Sequence, residues 1–312
     1  MIISASRRTD IPALYTDWFF NRLSQGFAFV RHPMQPRRIS RVSLSPKDVE
    51  GIVFWTKNPY PMLNRLDLLS AYPYYFQFTL TPYENHVEAN LPSKENVLIP
   101  AFLRLSEKIG PGRVIWRYDP ILLSRRYTIE AHLEAFNRMA RRLAGYTEQC
   151  TISFLDYYQK IARAVSSLHL TPILEDTKVQ LAKEIAAIAR SYGIAVNACA
   201  EPLDLSPYGI GKACCIDGRI FGKITGNRYK TGKDKGQRPE CLCVPSIDIG
   251  AYNTCTNGCR YCYASFNTAS TRENARRCNV DSPLLCGTVS ELDMIAERKI
   301  ESALEMQISL WE

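Results

Sequence analysis

Six short apolar, β-rich segments recur along the chain, each closing on a polar or charged cluster. Residues 2–6 run into Arg7, Arg8, Thr9 and Asp10, residues 51–55 into Thr56, Lys57 and Asn58, and residues 74–78 into Thr79 and Thr81. Residues 113–116 lead to Arg117 and Asp119, 151–154 to Asp156, and 195–198 to Cys199 and Glu201. Between them, residues 12–25, 129–144 and 174–192 carry apolar positions every three or four residues, the last ending at Gly193 as a helix C-cap would. A compact helix is expected over 61–71. This rhythm predicts an α/β fold, a partial or complete parallel (β/α) barrel of the TIM type, with the six polar clusters lining one mouth. In such barrels the active site collects at the C-terminal ends of the strands.

A shift in composition near residue 203 divides the chain into a barrel-like part, 1–202, and a cysteine-rich segment, 203–312, whose last stretch, 290–310, reads as a C-terminal helix packed on the barrel. With 312 residues, 46% of them hydrophobic, the chain can bury one large core. No leader-like start and no run approaching ~20 apolar residues is present, so a soluble cytoplasmic protein is expected, without membrane contact. Ten of the eleven cysteines fall between Cys199 and Cys286. Clustered thiols in a reducing compartment read as metal ligands rather than disulfides. The net charge of +8 favours polyanionic partners only weakly, and the Gly-, Lys- and Arg-rich stretch 226–236 reads as a mobile loop.

The strongest signal is Cys255-x3-Cys259-x-Tyr261-Cys262. Three thiolates at this spacing can hold three irons of a cubane cluster and leave the fourth open. The motif resembles that of the radical S-adenosylmethionine superfamily, and its Cys-Arg-Tyr-Cys-Tyr wording is similar to spore photoproduct lyase. The resemblance implies a [4Fe-4S] cluster on Cys255, Cys259 and Cys262, S-adenosylmethionine on the open iron, Tyr261 against the adenine, and an external electron donor such as flavodoxin or ferredoxin. Unlike in that superfamily, the motif follows six candidate strands, so the groups that hold the cofactor must come from the preceding strand ends. The alternative for these cysteines is a zinc knuckle, with Cys278 or Cys286 as fourth ligand. The chain also resembles a widespread bacterial family of uncharacterised proteins, from SASRRTDIPA, FWTKNP, FQFTLT and WRYDPI to the closing CxxGCxYCYA, over residues 1 to about 264.

A second thiol set, Cys199, Cys214 or Cys215, Cys241 and Cys243, offers four soft ligands for a second iron-sulfur cluster or for structural zinc. At the mouth, Arg7, Asp10, Arg117, Asp119 and Glu201 are the candidate catalytic groups, and Arg8, Lys57, Asn58 and Asp156 the candidate cofactor-binding groups, arginine being suited to carboxylate or phosphate. The four histidines show no paired spacing, and no Walker or Rossmann loop is present, which argues against nucleotide hydrolysis and hydride transfer. Two functions compete: a radical enzyme acting on an unknown substrate, with nucleic acid as one candidate, and a non-catalytic metal-stapled nucleic-acid-binding protein using residues 223–238.

Overall fold

In the computed structural model, which describes residues 1–305, all six apolar segments are strands of one sheet. They are β1 (Ile2–Ala5), β2 (Gly51–Thr56), β3 (Tyr74–Thr79), β4 (Val114–Ile121), β5 (Gln149–Phe154) and β6 (Ala195–Ala198). Two more come from the cysteine-rich segment, β7 (Gly211–Lys212) and β8 (Ile247–Asp248). Every pairing is parallel and the order is β7-β6-β5-β4-β3-β2-β1-β8. The fold is therefore α/β with an eight-stranded parallel sheet. Among the described residues no strand pairing joins β7 to β8.

The strands read as continuous apolar runs because both faces of the sheet are covered. Ile3, Ala5, Ile52, Phe54, Phe76, Phe78, Trp116 and Ile152 point to one face and form the main core, with the helices Thr16–Gln25, Ile99–Ile109, Ile129–Leu143 and Glu175–Ser191. The helix expected over 61–71 is a 3-10 helix, Tyr60–Leu69. Ile2, Val53, Tyr75 and Ile115 alternate to the other face and pack against Ile216, Ile220, Phe221 and Val244. The helix Gly218–Thr225 thus plugs the second face, with Phe221 against Tyr75 at 5.0 Å and Tyr229 at 5.5 Å. A Cβ on Gly51 would overlap the Phe221 ring, which is fully buried. Gly51→Ala is accordingly expected to cost about 1–3 kcal/mol in urea unfolding, and Phe221→Leu in the same chain to recover part of it.

The expectation of a helix over 290–310 is corrected. Residues 294–297 are a strand, Met294–Glu297, that pairs in parallel with Arg38–Ser43, itself antiparallel to Phe27–Arg31; residues 306–310 lie outside those described. The composition is helix-like, but the edge of Arg38–Ser43 offers backbone partners, and Arg31 fixes the approach by an ion pair to Asp293 at 2.5 Å. Tertiary pairing overrides local propensity here. No described helix is long and apolar enough to cross a membrane.

Candidate functional site

The loop that carries the three-cysteine motif leaves β8 at Asp248, whose carboxylate accepts hydrogen bonds from Ser4 Oγ (3.0 Å), Ser6 Oγ (2.7 Å) and the backbone N–H groups of Arg7 (2.8 Å) and Gly250 (3.0 Å). This carboxylate ties the loop to the C-terminal end of β1. Further on, Tyr15 donates to Thr254 O at 2.6 Å, and Asn257 donates to Asp10 at 2.9 Å. Asp10 also accepts from the backbone N–H groups of Ala13 and Lys57, at 3.1 and 2.8 Å. From the loop after β3, Asn90 Nδ2 donates to Thr256 O (2.7 Å), and the Arg260 N–H donates to Val87 O (2.9 Å). The motif is thereby stretched across the C-terminal ends of β1, β2 and β3. Burial pushes the Cys255 thiol up to about 12, and that of Cys259 well above its ordinary value although Lys57 opposes the shift; the two thiols and Cys262 lie within electrostatic reach of one another.

Glu88, beside Cys259, is the hub of this end. Its carboxylate accepts from Lys57 Nζ (2.8 Å), Lys94 Nζ (2.5 Å), Thr81 Oγ1 (2.9 Å) and the Tyr261 hydroxyl. The two lysines hold it down to about 2 in spite of burial. Lys57 is raised by Glu88, while Lys94 is lowered by burial. Tyr261 is itself buried, edge-on to Tyr83 at 5.9 Å.

The second thiol set assembles from the two edges of the sheet. Cys199 follows β6, Cys214 and Cys215 follow β7, and Cys241 and Cys243 precede β8. Tyr75 and Gln77 of β3 both donate to Cys215 O at 2.8 Å, which fixes the turn after β7, and the Val244 N–H donates to Ile216 O at 3.0 Å. The Cys199 and Cys215 sulfurs are 3.3 Å apart. Cys243 is the centre: the Ile216 N–H donates to its sulfur at 3.3 Å, and its neighbours Cys214, Cys215 and Cys241 lower its pKa while their own are raised. The sequence left open whether Cys214 or Cys215 belongs here; both reach Cys243.

Between the two sets stand the arginines. Arg117 donates to Cys215 Sγ at 2.8 Å and Gln77 Oε1 at 3.3 Å, and pairs with Asp119, which also accepts from Ser153. A register irregularity between Tyr118 and Ile121 accompanies this turn of Asp119 toward its partners. Arg7 and Arg117 both lie over the Trp55 ring, at 5.6 and 5.0 Å from its centroid. Residues 2–264 match the family described as Domain of unknown function (DUF1848). The chain belongs to this family. The match spans both thiol sets and ends two residues after Cys262, so that Cys278 and Cys286 lie beyond it. No curated protein matches the chain.

The other expected site residues are distributed less evenly. Glu201 is buried and accepts from the Phe154 N–H (2.9 Å) and Lys178 (3.3 Å). Asp156 pairs at the surface with Arg238 and Asn58 caps the following turn through Tyr60 N, while Arg8 lies over Tyr252 at 5.0 Å. Sequence reasoning missed Glu88, Lys94, Asp248 and Trp55. None of the four stands in a local pattern that marks it; Asp248 only lies seven residues before Cys255. Among the described residues no group of three or more His, Cys, Asp or Glu surrounds a point where a single metal ion would sit. In the second set the sulfurs contact one another instead.

Proposed function

We propose that this chain is an iron-sulfur enzyme of the radical S-adenosylmethionine type, with a [4Fe-4S] cluster on Cys255, Cys259 and Cys262 and an auxiliary metal centre, iron-sulfur or zinc, on the second thiol set. The observation that carries the reading is position: three thiols on one loop, held over the C-terminal ends of a parallel sheet, where α/β enzymes place their chemistry. The donor set fits the group. Thiolates are the ligands such clusters use, and the Lys57 ammonium opposes the burial that raises the Cys259 thiol. Around one zinc, sulfurs 2.3 Å from the metal would lie about 3.8 Å apart around a common centre; thiolates on a cubane bind different irons and spread wider.

Bound there and reduced, the cluster would supply the electron that cleaves S-adenosylmethionine to a 5′-deoxyadenosyl radical. The chain's own part is to hold the loop, through Asp10, Asp248 and Glu88, and to shield it from water with Tyr261 and Tyr83. We read the sheet as an open barrel whose free edges, β7 and β8, approach each other at the second thiol set. The electron donor would be an external one-electron carrier, and the lean toward nucleic acid rests on the net charge of +8 and on the photoproduct-lyase-like wording of the motif.

The test is anaerobic reconstitution with iron and sulfide, reduction with dithionite and quantification of 5′-deoxyadenosine. The wild type is expected to form it and Cys259→Ala to form none. A reduced, iron-loaded wild type that leaves S-adenosylmethionine intact would sink the proposal.

A further inference from the structure

Two buried donors on adjoining side chains, Arg7 Nη2 and Trp55 Nε1, have no hydrogen-bond acceptor among the described residues. Leaving a buried donor unpaired costs about 1–3 kcal/mol, more when it is charged. The two side chains adjoin: the Arg7 guanidinium lies over the Trp55 ring at 5.6 Å, with Arg117 also against that ring at 5.0 Å. Nearby acidic groups do not relieve them. Asp248 gives its oxygens to Ser4, Ser6 and the backbone of Arg7 and Gly250, and Asp119 is taken by Arg117 and Ser153. Arg117 is itself engaged through both terminal nitrogens, with Gln77, Cys215 and Asp119.

We propose that Arg7 and Trp55 form an oxyanion subsite that binds the carboxylate or phosphate of a small organic substrate between the two thiol sets. A planar guanidinium fork presents paired donors to such a group, the indole N–H adds a third, and Arg117 supplies positive charge behind them. The Cys243 and Cys215 thiols of the second set, with Asp248 and Tyr263, are the groups whose charge acts most on Arg7. We therefore place the subsite on the second-set side, apart from the carboxylate of S-adenosylmethionine, which the proposed function assigns to the open iron. Tyr263, partly exposed, reaches the Arg7 backbone, its hydroxyl donating to Arg7 O at 3.2 Å. Calling the ligand a substrate rests on the radical reading; oxyanion binding by these donors does not.

The experiment is anaerobic calorimetric titration of the oxidised, metal-loaded protein, without S-adenosylmethionine, using inorganic phosphate and malonate as probes and chloride at matched ionic strength as control. One oxyanion is expected to bind per chain, phosphate and malonate competing for it. Arg7→Gln should weaken binding about tenfold or more, and Trp55→Phe, which keeps the ring and removes only the N–H, by about threefold to tenfold. Undiminished binding by both variants, or no binding by the wild type, overturns the proposal. Displacement of the probe by S-adenosylmethionine overturns it as well, because the subsite then serves the cofactor's carboxylate. Oxyanion binding that persists in a protein unable to cleave S-adenosylmethionine would remove the radical reading and leave the subsite standing.

Discussion

Replacing Glu88 by glutamine is expected to lower folding stability by about 3–5 kcal/mol, read as a fall in the urea midpoint at unchanged m-value. Glu88 is almost completely buried and is the shared counter-ion of Lys57 and Lys94, neither of which reaches another acidic partner at hydrogen-bond distance among the described residues. Removing it leaves two ammonium groups facing each other, with only the more distant Asp119 to act on Lys57. The same substitution takes an acceptor from Tyr261 and Thr81, so the loop carrying Cys259 loosens with it. A triple variant, Glu88→Leu with Lys57→Met and Lys94→Met, should recover most of the loss, because an apolar set of similar volume has no desolvation to offset. Equal stability of Glu88→Gln and wild type would show that the cluster of charges is open to water. The pH dependence follows from the same group. Its folded value of about 2 lies below the ordinary 4.5, so its contribution, about 3 kcal/mol at most, is complete above pH 4.5 and lost as the pH falls toward 2.

The six long strands were legible because burial on both faces makes each an apolar run that closes on charge where it leaves the sheet. β7 and β8 were not: each is two residues long, and Gly211–Lys212 and Ile247–Asp248 have no local pattern that distinguishes a strand from a loop. What makes them strands is the open edge that β6 and β1 present. The same cause defeated the helix reading of 290–310, where Met294–Glu297 follows the edge of a strand more than 250 positions away in sequence. At the site, the thiol sets could be read since cysteine spacing carries chemistry by itself. Glu88 could not, since a single carboxylate between Val87 and Ala89 gains its meaning only from Lys57, Lys94 and Tyr261, which the fold gathers from three other places. Trp55 read as one more apolar strand residue; its unpaired N–H exists only in three dimensions.

The second thiol set is expected to bind metal independently of the first, and its loss to act on the fold more than on the three-cysteine loop. Reconstituted wild type should hold roughly eight irons per chain if both sets carry [4Fe-4S] clusters, or about four irons and one zinc if the second is zinc. A Cys241→Ala, Cys243→Ala double variant should keep about four irons and lose the rest. About four irons and no zinc in the wild type would leave the second set without metal. The structural consequence comes from where the five thiols sit. Cys214 and Cys215 extend β7 and Cys241 and Cys243 lead into β8, the two strands at opposite edges of the sheet, with Cys199 at the end of β6. Between these edges the backbone contact is Val244 N–H to Ile216 O at 3.0 Å, beside buried packing of Ile216, Val244 and Phe221. A metal held by thiols from both sides closes a loop of chain between Cys215 and Cys241 and ties the edges together, and binding that favours the folded state adds directly to stability. Chelation or the double variant should therefore lower the unfolding midpoint by several degrees and raise hydrogen exchange first in β7, β8 and the helix Gly218–Thr225, while β2 to β5, paired on both sides, stay protected.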